Sequence, residues 1–304
     1  MTVLTERMKK LLRALLPEEK YESVARLRRR VNSRKKGPLF LMMRLIEQNA
    51  LSERDLLELR NGIKVTGRMD YARHAIYLHV DSLTEYETRL HSCRKEPDTV
   101  QWIEDLMKPG DVFYDVGANV GVYSLVAAKC FAGAVKVYAF EPAFLNFSQL
   151  CRNISLNGCQ DAVFPLSLAL SDKTNIGEFK YHDLETGGSL HTLGEAIDYK
   201  GDRFTPVLTQ NVLSYRLDDL IDQFKIPRPT HIKIDVDGIE KAVLEGAQDA
   251  LSDLSLRSLV VELEEGQRQQ EIVELLAAKG FTLDSQHKRW TPGMLNCVFI
   301  RKSP

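Results

Sequence analysis

The stretch from Asp111 to Glu141 constrains the fold more than any other part of the chain. Its pattern of apolar residues and glycines predicts a buried strand, a tight turn, a helix and a second buried strand that ends at an acid. These parts are, in order, Val112–Val116, the turn framed by Gly117 and Gly121, Val122–Phe131, Val135–Phe140 and Glu141. Such a unit forms half of a nucleotide site in a doubly wound sheet, with the ligand in the crevice at the strand ends.

The polar residues of this unit favour a cationic ligand over a pyrophosphate. A dinucleotide site has three glycines spaced G-x-G-x-x-G, but Asn119 occupies the middle position here. Asp115 stands directly before the turn, where its charge repels phosphate and attracts a sulfonium or an amino group. S-adenosylmethionine carries both groups, and its ribose offers two hydroxyls to Glu141. A βαβ unit without a ligand is the weaker alternative, because acids follow two successive strands.

Strands and helices continue to alternate towards the end of the chain. The further predicted elements are a helix at 144–156, a strand at 163–170, a strand ending at Asp235, a helix from Ile239, a strand at 258–263, a helix at 269–279 and strands at 281–285 and 295–300. The last two strands have no helix between them, so the final one must be antiparallel. The prediction is an α/β fold: a doubly wound, seven-stranded, mostly parallel sheet with an antiparallel last strand, plus a helical and β N-terminal extension.

Three segments are predicted along the chain. A basic helical extension covers 1–60, a small β segment covers 61–95, and the core domain covers 96–304 with an insertion at about 171–216. The middle of the insertion is poor in apolar residues and has a Gly187-Gly188 pair, which indicates a mobile lid. His191 lies in this lid. Histidine is the commonest general base, although a histidine in a loop is more often exposed and idle.

Residues 1–45 differ in charge from the rest of the chain. They contain thirteen Lys and Arg against four Asp and Glu, a net charge of +9, whereas the whole chain carries −1. Leucines at helical spacing between Leu4 and Leu15 make this an amphipathic basic segment, which favours peripheral contact with an anionic membrane surface. Packing on its own domain, or on a second copy in a homo-oligomer, explains the pattern equally well. Basic residues are not interleaved with aromatic ones, so no nucleic acid partner is predicted.

No signal peptide and no apolar run long enough to span a membrane is visible in the sequence. The five cysteines form no C-x-x-C pair, and we expect them to be reduced, structural thiols. The prediction is a cytoplasmic protein, held at the inner face of the membrane if the basic segment binds lipid.

Five short motifs together resemble the FkbM-type methyltransferase family. They occur in the family's order: D-V-G-A-N-V-G from Asp115, F-E-P from Phe140, A-L-S-D from Ala169, L-D-D-L from Leu217 and K-I-D-V-D-G-I-E from Lys233. The resemblance covers roughly Glu96 to Glu264. It implies transfer of a methyl group from S-adenosylmethionine to a hydroxyl of a small molecule, a sugar, a glycan or glycolipid, or a related natural product. It implies the fold more firmly than the substrate.

The predicted cofactor site draws on the first three strands and on the segment before them. Its residues are Glu96, Thr99, Asp115, Gly117, Asn119, Gly121, Glu141, Ala169 and Leu170. Glu96 and Thr99 are included because such segments often fold over the cofactor's amino-acid end, although capping of the next helix explains them equally well. Ala169 and Leu170 are expected at the crevice end of the third strand, near the adenine.

The predicted catalytic residues are Asp235, Glu262 and His191. Asp235 follows a strand beside the crevice and is the first choice as general base, with capping of the turn at Gly238 as its structural alternative. Glu262 ends the neighbouring strand, where it could pair with Asp235 and raise one of the two pKa values. The two acids could also hold a divalent cation. No metal is predicted, because the Asp-Asn pair of metal-dependent relatives and any zinc motif are absent.

Two other functional classes stay open at this point. A nicotinamide-dependent oxidoreductase can use a similar sheet, but Asn119 and Asp115 count against a dinucleotide. A scaffold that keeps the fold without turnover is the other alternative, and the intact acids Asp115, Glu141 and Asp235 argue against it.

Overall fold

The computed structural model describes residues 52–197 and 201–302, so the basic segment 1–45 lies outside the described residues. The chain divides into two units, residues 1–65 and 66–304. In the first unit, helix α1 (Glu53–Gly62) begins after Ser52, whose hydroxyl accepts a hydrogen bond from the backbone N–H of Asp55. The Asp55 carboxylate in turn accepts from the backbone N–H of Ser52, which completes a capping box. The predicted division at residues 60 and 95 remains a prediction.

The second unit begins with two short strands and a group of short helices. These are β1 (Thr66–Arg68), β2 (Tyr77–His79), α2 (Leu83–Glu87), a 3₁₀ turn (Arg89–His91), α3 (Ser92–Lys95) and α4 (Pro97–Leu106). Strands β1 and β2 pair antiparallel, as the alternating residues between Ile63 and Val80 predict. Pro97 is the first residue of α4, where its missing N–H costs no hydrogen bond.

The remaining elements follow in near-regular alternation. They are β3 (Val112–Val116), α5 (Val122–Cys130), β4 (Lys136–Phe140), α6 (Phe144–Leu156), β5 (Val163–Leu166), β6 (Ala169–Leu170), β7 (Asn175–Tyr181), β8 (Thr192–Leu193), β9 (Leu208–Tyr215), α7 (Leu217–Phe224), β10 (His231–Ile234), α8 (Glu240–Glu245), α9 (Gln248–Ser252), β11 (Ser258–Glu264), α10 (Gln267–Ala278), β12 (Phe281–Lys288) and β13 (Met294–Arg301).

Seven strands form the central sheet in the order β12-β13-β11-β10-β3-β4-β5. The pairs from β11 to β5 are parallel, whereas β13 runs antiparallel to both of its neighbours. The predicted fold class is therefore confirmed. The strand order reverses direction between β3 and β10, which creates the crevice in which doubly wound sheets bind ligands.

Each face of the central sheet packs on its own apolar core. Alternating side chains of β3 divide between them, with Phe113 on one side and Tyr114 and Val116 on the other. Helices α4, α5 and α6 cover the Phe113 side, and helices α7 to α10 cover the opposite side. No helix among residues 52–197 and 201–302 is long and apolar enough to cross a membrane.

The third predicted strand is wrong in its extent. The apolar pattern predicts a strand that continues to Leu170, but β5 ends at Leu166, and the N–H of Leu168 donates to the carbonyl of Leu166 across a tight bend. Pro165 has no N–H to offer to a further neighbour and is tolerated because β5 is an edge strand. Ala169 and Leu170 then form β6 in a second sheet of order β6-β9-β7-β8, which is built from the insertion.

Candidate active site

A cavity lies at the carboxyl ends of β3, β4 and β10. Residues that follow these strands line it: Gly117 and Asn119, then Glu141, then Asp235 and Asp237. The insertion contributes the segment Gly188–His191 to its wall, and Leu168, Ala169 and Leu170 give it an apolar side. The cavity thus combines acids that follow β4 and β10 with one apolar wall.

The turn after β3 is shaped by two close approaches. Gly117 has a φ of +80° and Gly121 a φ of +91°, which favour glycine. A Cβ on Gly117 would stand 1.9 Å from the carbonyl oxygen of Asp235, and one on Gly121 would stand 2.5 Å from Cδ1 of Leu150. The N–H of Gly117 donates to the carbonyl of Phe140 at 3.0 Å. Gly117 therefore lets the ends of β3 and β10 approach each other at the cavity, and Gly121 lets the turn pack against α6.

Glu141 lies at the floor of the cavity with both carboxylate oxygens engaged. One accepts the backbone N–H of Asn119 at 2.7 Å, and the other accepts that of Ala143 at 2.8 Å. Burial nevertheless raises the pKa of Glu141 to about 7. Each oxygen retains a second lone pair, so the carboxylate can still accept hydrogen bonds from a ligand's hydroxyls.

Side-chain alternation brings charged residues of three strands to one face of the sheet. Asp115 of β3 is the direct neighbour of Lys233 on β10, and Asp235 follows two residues later on the same face. Val260 of β11 stands opposite Lys233, which places Glu262 on this face beside Asp235. Helix α5 covers two of these groups, with the ring of Tyr123 against Nζ of Lys233 and Oγ of Ser124 beside Asp115.

Six buried charges lie together on this face, and we call them the ionic network: Asp115, Lys233, Asp235, Glu262, Arg289 and Glu96. Nζ of Lys233 donates to Oδ2 of Asp235 at 2.7 Å. Nη2 of Arg289 lies 2.8 Å from Oε1 of Glu262, and its Nη1 pairs with Glu96. Asp115 accepts a hydrogen bond from Oγ of Ser124 at 2.6 Å.

The network shifts the pKa values of its two central acids in opposite directions. Burial favours neutral Asp235, but Lys233 and Arg289 outweigh it and hold the pKa of Asp235 below its ordinary value. Burial and the charge of Asp235 raise the pKa of Glu262 well above its ordinary value. These opposite shifts favour the ionised form of Asp235 and make Glu262 the member of the pair that binds a proton more tightly. Burial alone would lower the pKa of Lys233, but the acids Asp235 and Asp115 raise it.

Asp237 is a further acid in the cavity wall, and it anchors the insertion. It has a φ of +42°, a left-handed conformation that Asp adopts more readily than most residues. Its Oδ2 accepts the backbone N–H of Leu190 at 2.7 Å. Burial and the charge of Asp235 raise its pKa to about 6.

The same insertion segment is held from other sides. The amide Nδ2 of Asn119 donates to the carbonyl of Gly188 at 2.8 Å, and that of Asn146 donates to it at 3.1 Å. Arg89 donates through Nε and Nη2 to the carbonyl of Gly187. The predicted lid is thus tied to the strand ends in this conformation, and its mobility remains a prediction.

His191 lies at the cavity wall and is only 9% exposed, which differs from the exposed position typical of a loop histidine. Its Nδ1 accepts the backbone N–H of His182 at 3.2 Å, and its ring packs against Tyr181 and Phe179. Burial lowers its pKa. The ring is therefore neutral at pH 7 with its proton on Nε2, which makes Nε2 a hydrogen-bond donor.

The structure does not bring every predicted cofactor residue to the cavity wall. Gly117, Asn119, Glu141, Ala169 and Leu170 line it, whereas Gly121 shapes the turn behind it.

Asp115 is 1% exposed and lies beneath that turn, where burial raises its pKa. Glu96 faces Arg289, and Thr99 is fully buried beside Asn296.

Five charged residues of the site were missed by the sequence analysis: Arg89, Lys95, Lys233, Asp237 and Arg289. Lys233 carried a readable signal, because a lysine inside an apolar strand implies a buried partner for its charge. Arg89, Lys95 and Arg289 carried none, since they reach the cavity only through the tertiary fold. Within the described ranges, no group of three or more His, Cys, Asp or Glu side chains is arranged to hold a metal ion.

Comparison with known proteins identifies one family. A model of the methyltransferase FkbM domain matches residues 115–297, from the end of β3 into β13. The hexuronic acid methyltransferase AglP of Haloferax volcanii is 25% identical over 225 residues, which cover 74% of this chain and 85% of that protein.

Two other relatives are similar over comparable lengths. The methyltransferase sdnD of Sordaria araneosa is 30% identical over 210 residues, covering 62% of this chain and 80% of that protein. The 31-O-demethyl-FK506 methyltransferase FkbM of Streptomyces tacrolimicus is 31% identical over 198 residues, covering 58% of this chain and 75% of that protein.

Proposed function

The chain belongs to the FkbM methyltransferase family and is a methyltransferase, and from this premise we propose that it transfers the methyl group of S-adenosylmethionine to a hydroxyl. We propose as acceptor a sugar, glycan or glycolipid, or a related natural product. The observation that carries the proposal is the cavity itself, in which acids that follow β4 and β10 face an apolar wall. Family membership argues against the nicotinamide-dependent alternative.

The lining of the cavity suits the parts of this methyl donor. Glu141 would accept hydrogen bonds from the ribose hydroxyls, as an acid at the end of the second strand does in related sheets. Leu168, Ala169 and Leu170 would contact the adenine, and Asp235 and Asp237 would face the positive charges of the ammonium and sulfonium groups. When bound, the donor supplies an electrophilic methyl group on a positively charged sulfur.

The remaining task of the protein is to orient the acceptor hydroxyl and to accept its proton. We assign the proton to Asp235, whose ionised form Lys233 and Arg289 stabilise and beside which Glu262 lies. His191, neutral and protonated on Nε2, would donate a hydrogen bond that positions the acceptor. Asp237 is the second candidate for the base, because a pKa of about 6 is better matched to neutral pH.

The class of acceptor is supported by what the relatives are named for. One is a hexuronic acid methyltransferase, and another methylates an oxygen of 31-O-demethyl-FK506. Both names point to oxygen-rich small molecules or glycans, which agrees with a cavity lined by hydrogen-bonding groups.

The proposed function is tested by calorimetric titration of the full chain with S-adenosylmethionine, S-adenosylhomocysteine and NAD. We expect micromolar binding of the first two and none of NAD. Incubation with S-adenosylmethionine and a panel of sugars, uronic acids and glycolipids should then add one methyl group to an acceptor, detected by mass spectrometry. A folded protein that binds neither methyl-cofactor form would contradict the proposal.

We further propose that residues 1–45 keep the enzyme at an anionic membrane surface in the cytoplasm. The support is their net charge of +9 and the leucines between Leu4 and Leu15. Docking of this segment on a second copy of the chain is the competing proposal, and it would make the protein a homo-oligomer.

A further inference from the structure

Lys95 lies in the segment before α4 and reaches the cavity. It is the last residue of α3 and lines the cavity wall, whereas its neighbour Glu96 turns away to Arg289. Lys95 is partly buried, and within the described ranges its ammonium group makes no ion pair and no hydrogen bond. A partly buried cation without a partner is costly unless a ligand supplies one.

The acids nearest to Lys95 are already committed. Glu96 pairs with Arg289, and Asp235 pairs with Lys233. Burial and the charges of Arg289 and Arg89 accordingly lower the pKa of Lys95. The protein thus leaves a positive charge in the cavity wall that its own carboxylates do not neutralise.

Arg89 adds a second cation of this kind. Its Nε and Nη2 both donate to the neutral carbonyl of Gly187, and it forms no ion pair with any residue of the part of the chain that the structure describes. Arg89 also lines the cavity. The cavity therefore has an acidic floor, suited to a cation, and a wall with two cations that form no ion pair with any described residue, suited to an anion.

We propose that Lys95, supported by Arg89, binds a carboxylate in this cavity. The inference rests on the proposed function, because S-adenosylmethionine carries an α-carboxylate beside its ammonium group. A carboxylate on an acidic acceptor, such as a hexuronic acid, is the other source of the same chemistry. Lys95 is then a binding residue that meets the carboxylate, while the acids at the strand ends meet the positive charges.

Calorimetric titration of the full chain distinguishes the two sources. The ligands are S-adenosylmethionine, its decarboxylated form and D-glucuronate, with D-glucose as the neutral counterpart of the last. The variants are Lys95→Met, which removes the charge, and Lys95→Arg, which keeps it. Arg94→Gln is the matched control, because it removes one positive charge from the adjacent, exposed position.

If the donor supplies the carboxylate, Lys95→Met should weaken binding of S-adenosylmethionine about 10- to 100-fold, the range for a lost charge-assisted hydrogen bond. Binding of the decarboxylated form should not change, Lys95→Arg should retain most of the affinity, and Arg94→Gln should have little effect. If the acceptor supplies it, Lys95→Met should leave the donor unaffected and abolish the preference for glucuronate over glucose.

Two results would contradict the inference. Unchanged affinity of Lys95→Met for every ligand, in protein with the wild-type Tm, would exclude a carboxylate at Lys95 while leaving the proposed methyl donor intact. Absence of binding of S-adenosylmethionine to the wild-type protein would instead contradict the proposed function, and the donor arm of this inference with it.

Discussion

At the residue scale, Asp235 and Asp237 offer a direct comparison of two acids in one cavity. Asp235→Asn removes the proposed proton acceptor but preserves its shape, so kcat should fall about a hundredfold or more while the Kd of S-adenosylmethionine changes less. Asp237→Asn keeps a residue that tolerates the left-handed φ of +42° and should reduce kcat less. Steady-state kinetics and calorimetry of both variants measure this. The reverse ranking would transfer the role of base to Asp237.

Glu141 should make donor binding depend on pH. Burial raises its pKa to about 7, so the carboxylate is protonated in most molecules below that pH and ionised above it. A cationic ligand prefers the ionised form, so affinity should rise between pH 6.5 and 8, by at most tenfold per pH unit for one proton released. Glu141→Gln should bind more weakly at pH 8 and lose this part of the dependence. If calorimetry shows that the affinity for S-adenosylmethionine rises equally with pH in the wild type and in Glu141→Gln, Glu141 is excluded as the titrating group.

His231 should destabilise the protein in acid. It is buried at the opposite ends of the strands, with Nδ1 2.7 Å from Oγ of Ser258 and Nε2 3.1 Å from Oδ2 of Asp111. Burial and the charge of Arg257 lower its pKa to about 4, below the ordinary value of about 6.5. Between these pH values the unfolded chain binds the proton more tightly, so stability falls as pH falls from 6.5 towards 4.

The size of this effect can be isolated with one variant. From pH 7 to pH 5 the contribution of His231 is about 2 kcal/mol. Buried acids whose pKa values are raised make the protein more stable as the pH falls, which opposes the effect of His231. The stability of the wild type must therefore be compared with that of His231→Gln, in which these acids are unchanged. Urea unfolding of both proteins at the two pH values should show the additional loss only in the wild type.

At the scale of the element, the turn after β3 predicts what a single methyl group does. Gly117→Ala and Gly133→Ala introduce an alanine at nearly the same positive φ, +80° and +79°, and this conformation alone should cost each variant about 1–2 kcal/mol of stability. Only at Gly117 does the new Cβ meet another backbone, the carbonyl of Asp235, whereas Gly133 has nothing within 4 Å. Gly117→Ala should therefore also abolish donor binding. Equal binding by both folded variants would mean that the turn does not shape the site.

Local sequence was sufficient for the elements around this turn but not for the insertion. Helix α6 begins and ends where its apolar periodicity predicts, at Phe144 and Leu156. The apolar run from Val163 to Leu170, by contrast, divides between two sheets. The spacing of its apolar residues is the same for one long strand as for two short ones. The break between β5 and β6 depends instead on Pro165 and on the pairing of Ala169 with β9.

At the scale of the whole molecule, the central sheet was predictable because each βα unit carries its own pattern. The ionic network was not, because its contacts join distant parts of the chain. Arg289 follows β12, yet it pairs with Glu96, which precedes α4, and with Glu262 of β11. The sequence placed acids at strand ends, since strand ends converge in any parallel sheet. The positions of the cations could not be predicted, because no comparable rule says where residues of loops and hairpins meet in the fold.

The charge asymmetry of the whole chain leads to the last prediction, on residues 1–45, which lie outside the described residues. A segment with a net charge of +9 should bind vesicles of phosphatidylcholine with 30% phosphatidylserine and not vesicles of phosphatidylcholine alone. Each basic residue near such a surface contributes about 1 kcal/mol, so replacing Arg28, Arg29 and Arg30 by Gln should weaken binding by roughly a hundredfold, and added salt should weaken it in the wild type. Flotation of the full-length proteins measures this. Equal flotation of the wild type and the triple variant, or a wild type that does not float, would contradict membrane binding. The basic segment would then be expected to join two copies of the chain, which the mass of the protein in solution tests.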